Sequence, residues 1–333
     1  MKSMKKRIVV VISLLLVFAF TLVACGGSGN QGSTQSQTPA ATTSGNTQGQ
    51  APAGAAAAST QGQAPVSTSN FDASKNISVL AREDGSGTKT AFMEIIGLKG
   101  KADPENVIIQ TGTAGILTEV KGNPTAIAYE SLGYITNDVK MLKVNGVEAT
   151  VENIKSGSYK ISRPLSVVYQ EDVLNGDVNK AFLTFLQSSD AQKIISEEGY
   201  VSVVDNAPAY TIDGSLSGTI DISGSTSLQP LMTELAEVFE DLQPNVSVTV
   251  GGGGSGTGYK NADEGVSEFG MISEEFSLEK APLCTHSVVC KDGIAVIIHV
   301  SNPLDDISMD QLKNVYDVEA EADAISAWNA LIK

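Results

Sequence analysis

The tetrapeptide Gly-Ser-Gly-Thr occurs twice, at residues 85–88 and 254–257, each time between a strand-like apolar run and a helix-like one. A third hydroxyl-rich turn, Gly224-Ser225-Thr226-Ser227, sits in the same context after Thr219-Ile220-Asp221-Ile222. A chain that keeps passing from strand through glycine turn to helix is constrained to α/β architecture. Each such turn also places backbone N–H groups and hydroxyls at a helix N-terminus, a setting that favours a small anion. The rest of the chain is acidic, with 22 Lys and Arg against 38 Asp and Glu and a formal charge of −16. That balance argues against nucleic acid or an anionic membrane face as partner, and it means that any anion site must be local. The expectation is binding of a small oxyanion without chemistry on it.

Apolar periodicity predicts strands at 77–81, 107–110, 126–129, 165–169, 201–204, 219–222, 246–250, 268–272 and 293–300. Helices are expected at 88–96, 113–121, 178–186, 191–198, 231–241 and 309–315. Residues 141–151 alternate around Asn145-Gly146, a hairpin signal. The stretch 206–217 is polar and turn-rich and reads as a connector, after which the strand–turn–helix pattern restarts. Mostly parallel sheets are expected from this alternation.

The first residues read differently. Lys2, Lys5, Lys6 and Arg7 precede an apolar stretch at 8–23, which marks 1–24 as a targeting segment. Leu22-Val23-Ala24-Cys25 followed by Gly26-Gly27-Ser28 resembles the lipobox of bacterial lipoproteins. The resemblance implies that Cys25 carries a diacylglyceryl (palmitate-type) anchor and that the protein sits on the outer face of a bacterial cell membrane. Loss of 1–24 removes four positive charges and no negative ones, taking −16 to −20. Residues 25–70 are Gly, Ser, Thr, Gln, Ala and Pro with almost no apolar bulk, a composition expected of a flexible tether. The folded domain is placed at 71–333.

Catalytic equipment is sparse. His286 and His299 are the only histidines, and no Gly-x-Ser-x-Gly elbow accompanies a suitable one, so a phosphatase or other hydrolase is disfavoured. Cys284 and Cys290 either close a small disulfide loop, which an extracytoplasmic setting permits, or are two small buried apolar residues. With His286 they still fall short of a four-ligand metal site, so neither metal nor cofactor is expected.

Two sets of motifs carry a family resemblance. Ser223-Gly224-Ser225-Thr226-Ser227-Leu228-Gln229-Pro230, the run Gly251 to Gly258, Phe269-Gly270-Met271-Ile272-Ser273 and Asp292-Gly293-Ile294-Ala295 resemble the first half of the phosphate-binding component of phosphate ABC importers. Arg82-Glu83-Asp84-Gly85-Ser86-Gly87-Thr88, Ala126-Ile127-Ala128-Tyr129-Glu130-Ser131-Leu132-Gly133-Tyr134 and Ser162-Arg163-Pro164-Leu165 resemble its second half. The second half comes first here, which suggests a circular permutation joined through 206–217. The resemblance implies an α/β fold of two lobes, about 77–163 with 293–333 and about 164–292, closing on a ligand in the cleft between them. It further implies a lipid-anchored, non-enzymatic protein that delivers inorganic phosphate to the membrane permease and ATPase subunits of an ABC importer. The alternatives are another oxyanion such as sulfate, or a role as sensor or adhesin.

Carried over residue by residue, the phosphate site comprises Arg82, Ser86, Gly87 and Thr88 from one lobe. Ser225, Thr226, Ser227, Leu228, Ser255 and Ser273 come from the other. Arg82 supplies the full positive charge in a fork that lysine lacks. Ser273 stands where many members carry an Asp that accepts the ligand's own proton, which leaves the choice of phosphate over sulfate without its usual agent. Asp84 is read as a proton acceptor, as an orienter of Arg82, or as a solvated turn residue.

Overall fold

The computed structural model describes residues 71–332; the expected targeting segment at 1–24, the expected tether at 25–70 with Cys25, and Lys333 lie outside the described residues. The chain opens with β1 (Ser78–Arg82), α1 (Gly87–Ile95), β2 (Ile108–Gln110), α2 (Gly112–Gly122), β3 (Ala126–Ser131), β4 (Val139–Met141), β5 (Lys143–Val144) and α3 (Val151–Lys155). It continues through β6 (Ser162–Gln170), α4 (Asp177–Leu186), α5 (Ser189–Glu197) and β7 (Val201–Ser202). After a connector without regular structure come β8 (Gly218–Gly224), α6 (Gln229–Leu242), β9 (Val246–Gly253), α7 (Ser255–Asp263) and β10 (Phe269–Ile272). The last elements are β11 (Cys284–His299), β12 (Asp306–Ile307) and α8 (Met309–Tyr316).

The principal sheet has ten strands, in the path β2-β1-β3-β11-β6-β10-β8-β9, with β4 and β7 pairing onto β11. Its flanks are parallel: β1 pairs with β2 and β3, and β8 pairs with β9 and β10. Its middle is antiparallel, because β11 runs against β3, β4, β6 and β7, and β10 against β6. The expectation of mostly parallel sheets therefore holds only at the flanks. Two strands that carry the chain across in opposite directions must run antiparallel where they meet.

Two large apolar cores lie on either side of this crossing, and a small third cluster gathers Val168, Tyr259, Ile272 and Cys284. One large core gathers Leu80, Phe92, Ile127, Tyr129, Ile161, Ile294–298 and Trp328; the other gathers Leu165, Phe182, Phe185, Phe239, Phe269 and Cys290. Strand β6 passes between them at 162–164 and β11 at 291–293. Helix α6 shows why these segments fold as they do. Leu231, Met232, Leu235, Ala236 and Phe239 share one face and are all buried, and Pro230 starts the helix where no N–H partner is needed. Each of the larger side chains contributes roughly 1.5–3 kcal/mol by leaving water. Helix α7 lies against β10 at backbone distance, since a β-carbon on Gly270 would meet Gly258 O at 2.0 Å.

One local expectation is corrected and one open choice is decided. The Asn145-Gly146 turn forms, with φ of 52° and 77°, but its arms do not make a long hairpin. β4 joins β11, and β5 pairs in parallel with β12, because these partners bury more than a free hairpin would. The cysteines follow the second of their two readings, as small buried residues. β11 extends back to Cys284 as one sixteen-residue strand, so Cys284 and Cys290 are separated by extended chain. Six residues of strand span about 20 Å, far beyond disulfide reach. Both are free and buried, and burial pushes the Cys284 thiol up to about 11.

Candidate anion-binding site

Three strand-to-helix turns converge. Arg82 ends β1, and the following turn leads into α1 with Ser86 as its cap, the Ser86 hydroxyl accepting from Lys89 N–H at 3.4 Å. The Ser225–Leu228 turn leads from β8 into α6, and Gly254 turns β9 into α7, which begins at Ser255. Ser273 follows directly on β10.

These groups meet across the cleft. Arg82 Nη2 donates to Thr226 Oγ1 at 3.0 Å, 144 positions away. Thr88 Oγ1 and Ser227 Oγ share a hydrogen bond of 2.9 Å. Gly256 N–H donates to Gly85 O at 2.9 Å, and Tyr134 OH donates to Thr226 O at 2.6 Å. Gly87 faces Ser255 and Ser273, whose hydroxyls are 3.2 Å apart. Ser255 Oγ also accepts from Ser273 N–H at 3.0 Å. Arg82, Ser86, Thr88, Ser225, Ser227, Ser255 and Ser273 are all buried. The arrangement is a closed set of donors around a single guanidinium, and an oxyanion would compete for the hydroxyl and guanidinium bonds that now run between the two sides.

Arg82 is held by a carboxylate frame. Its Nε and Nη2 donate to Glu83 at 2.9 and 3.1 Å, and Nη1 donates to Glu130 at 3.1 Å and to Thr113 at 3.3 Å. With Thr226, all five N–H bonds are used. Burial works against the guanidinium charge, but Glu83 and Glu130 outweigh it and hold its pKa above the ordinary value. Burial likewise raises the Glu130 carboxyl, opposed by Arg82 and by Ser131 N–H. Glu83 goes the other way: burial would lift it, but the bonds from Arg82 bring it below the usual range.

Not every expected residue faces the cleft in the expected way. The Leu228 N–H donates to Ser225 Oγ at 3.2 Å, as does Ser227 N–H, so both amides close their own turn. Leu228 itself packs into the second core. Asp84 does not orient Arg82: it is solvent-exposed and pairs with Lys89 at 2.9 Å, which holds its carboxyl below the usual range. Its neighbour Glu83 and the distant Glu130 take that role. Thr113, Glu130 and Tyr134 join the site without being singled out by the motifs, although Glu130 and Tyr134 lie inside the Ala126–Tyr134 run. His286 stacks on Phe276 and His299 bonds Ser301, contacts that lie outside the set of site residues. No group of metal-ligating side chains occurs among the described residues.

The model of the PBP superfamily domain matches residues 33–190 and 210–332. The phosphate-binding protein PstS 2 of Streptococcus agalactiae is 36% identical over 274 residues, covering 80% of this chain and 91% of that protein. The chain belongs to the phosphate-binding proteins of the PBP superfamily. PstS 2 of Streptococcus pneumoniae is similar at 33% identity over 257 residues, 75% of this chain and 87% of that protein. Among solved structures, the phosphate-binding protein of a phosphate ABC transporter from Streptococcus pneumoniae matches with a TM-score of 0.62 and 31% identity. The match covers 77% of this chain and 100% of that one.

Proposed function

We propose that this chain is an extracytoplasmic binding protein that captures inorganic phosphate in the interlobe cleft and passes it to the permease and ATPase subunits of an ABC importer. It is a binding component and not an enzyme, in keeping with its family. The observation that carries the ligand reading is the contact of Arg82 with Thr226 and of Thr88 with Ser227, two half-sites joined across a cleft. Phosphate is strongly hydrated, so its water must be replaced by many fixed donors, each bond to the charged group contributing about 1.5–3 kcal/mol. Arg82, Ser86, Gly87, Thr88, Thr226, Ser227, Ser255 and Ser273 supply hydroxyls, amides and one guanidinium for that purpose. Because all of these but the half-buried Thr226 are buried, ligand entry and exit require the lobes to part about the β6–β11 crossing.

Anchoring through Cys25, with 26–70 as tether, is supported by the Leu-Val-Ala-Cys sequence. The halves are read as circularly permuted relative to the family pattern, in an order shared with PstS 2 of Streptococcus agalactiae, which aligns with this chain over 91% of its own length. Support comes from the proximity of 75–77 to 326–328, where Ile77 N–H donates to Ser326 O at 2.8 Å and Trp328 N–H to Lys75 O at 3.1 Å. Permutation is tolerated where chain ends lie close together.

Isothermal titration with phosphate tests the ligand. Saturable binding that weakens on Arg82→Ala supports the reading, and absence of phosphate binding overturns it. Sulfate is the second candidate, because Ser273 and Ser255 present hydroxyls that donate or accept equally well. Displacement of labelled phosphate by sulfate at neutral pH decides between them.

A further inference from the structure

Beyond residue 7 the sequence holds only two arginines, Arg82 and Arg163, and both are buried in full; the other cations are lysines. Arg82 belongs to the cleft. Arg163 lies at the start of β6, in register with Asp292 of β11, where the two crossing strands pair. Its Nη2 donates to Asp292 Oδ2 at 3.2 Å, and its Nη1 donates to Ser273 O at 2.9 Å. Its Nε has no hydrogen-bond partner in the protein.

Core stability does not explain this pair. A buried ion pair is commonly no better than well-packed apolar residues of the same volume, and an unpartnered buried N–H adds a cost. What the guanidinium does achieve is polar reach. It satisfies the carbonyl of Ser273, whose own N–H donates to Ser255 Oγ at 3.0 Å. On its other side, Asp292 Oδ2 accepts from Ser131 Oγ at 2.8 Å, and Ser131 N–H donates to Glu130 Oε1 at 2.9 Å. Glu130 in turn holds Arg82. One unbroken file of buried polar groups thus runs from Arg82, through the strand crossing, to Ser273.

We propose that Arg163 is a positioning residue for the anion site: clamped by Asp292 at the crossing, it fixes the Ser273 peptide and with it the Ser255–Ser273 arm. The proposal rests on the phosphate reading for its affinity arm only. Without Arg163, the Ser273 carbonyl is left buried and unpaired, and the peptide is free to turn away from Gly87.

The test replaces the pair by apolar residues of similar volume, Arg163→Met with Asp292→Leu, beside Arg163→Lys, and measures two things on each folded protein. One is the phosphate dissociation constant; the other is hydrogen exchange of the Ser273 amide. The double variant is expected to unfold cooperatively, to bind phosphate at least about tenfold more weakly, and to exchange the Ser273 amide faster while β1 amides stay protected. Arg163→Lys, able to satisfy one partner at a time, recovers part of the loss, which a purely structural role would not produce. Unchanged affinity and unchanged Ser273 exchange in the folded double variant overturn the proposal. If the unmodified protein binds no phosphate, the ligand reading fails, while the exchange measurement still decides whether Arg163 holds Ser273.

Discussion

Gly87 and Ser255 meet across the cleft with no space for one further carbon: a β-carbon at Gly87 would stand 2.3 Å from Ser255 Oγ and 2.8 Å from Ser273 Oγ. Gly87→Ala should therefore hold the lobes apart while leaving both cores intact. Phosphate binding is expected to weaken by at least about tenfold, with the thermal midpoint moved by only a few degrees. Titration calorimetry beside thermal unfolding checks this, and unaltered affinity would contradict the closure geometry.

Arg82→Ala should damage folding as well as binding. It leaves Glu130 buried without its cation, a loss of about 3–5 kcal/mol in comparable cases. Arg82→Lys keeps the charge but cannot serve Glu83, Glu130 and Thr226 together, so it should be the milder change in stability and still lower affinity by about tenfold or more. Denaturant unfolding and phosphate titration of both variants separate the two effects.

The pH dependence of stability should carry the signature of Glu130. Burial raises its carboxyl above the ordinary value of 4.5. A carboxyl raised in the folded state contributes stability that is complete below the unfolded pKa and is lost as pH climbs through the folded one. Gln at this position does not titrate. The stability of Glu130→Gln relative to the parent should therefore improve as pH rises above about 4.5. Thermal midpoints measured across that range give the sign directly; a relative decline with rising pH would refute it.

The thiols of Cys284 and Cys290 should be silent in the native protein. They lie buried on one extended strand, and burial raises both above the ordinary thiol range. A thiol reagent is expected to titrate them only after denaturation, and reduction should leave the thermal midpoint unchanged. A reductant-sensitive midpoint would indicate pairing.

A chain opened within the 206–217 connector and rejoined by a short linker from 332 to 71 should fold and bind phosphate within about threefold of the parent. The expectation follows from the adjacency of Lys75 and Trp328 and from the lack of helix or strand in the connector. Circular dichroism and titration of the rejoined protein provide the check.

The sequence made the strand–turn–helix units readable because glycine and hydroxyl residues punctuate them, and the turns around Gly87 and Ser255 lie where the motifs indicated. Glu130 was harder to see. β3 is buried on both faces, so it shows no alternation, and a carboxylate at its end gives no local sign that Arg82, 48 positions earlier, will meet it. Asp84 and Glu83 are neighbours in one turn, and only the backbone path decides which of them faces the guanidinium. The first half of β11 was illegible for another reason. Thr285, His286, Ser287 and Lys291 interrupt its apolar run, and their strand conformation comes from pairing with β6 and β7, which is tertiary information.

Strand β11 belongs to both lobes at once, with Cys290 in one core and Ile294 in the other. Severed between them, each half would keep a stub of ribbon whose amides and carbonyls have lost their neighbour, an invitation to stick to other chains. The lobes are therefore not separable modules, since neither completes its sheet without the ribbon it shares with the other.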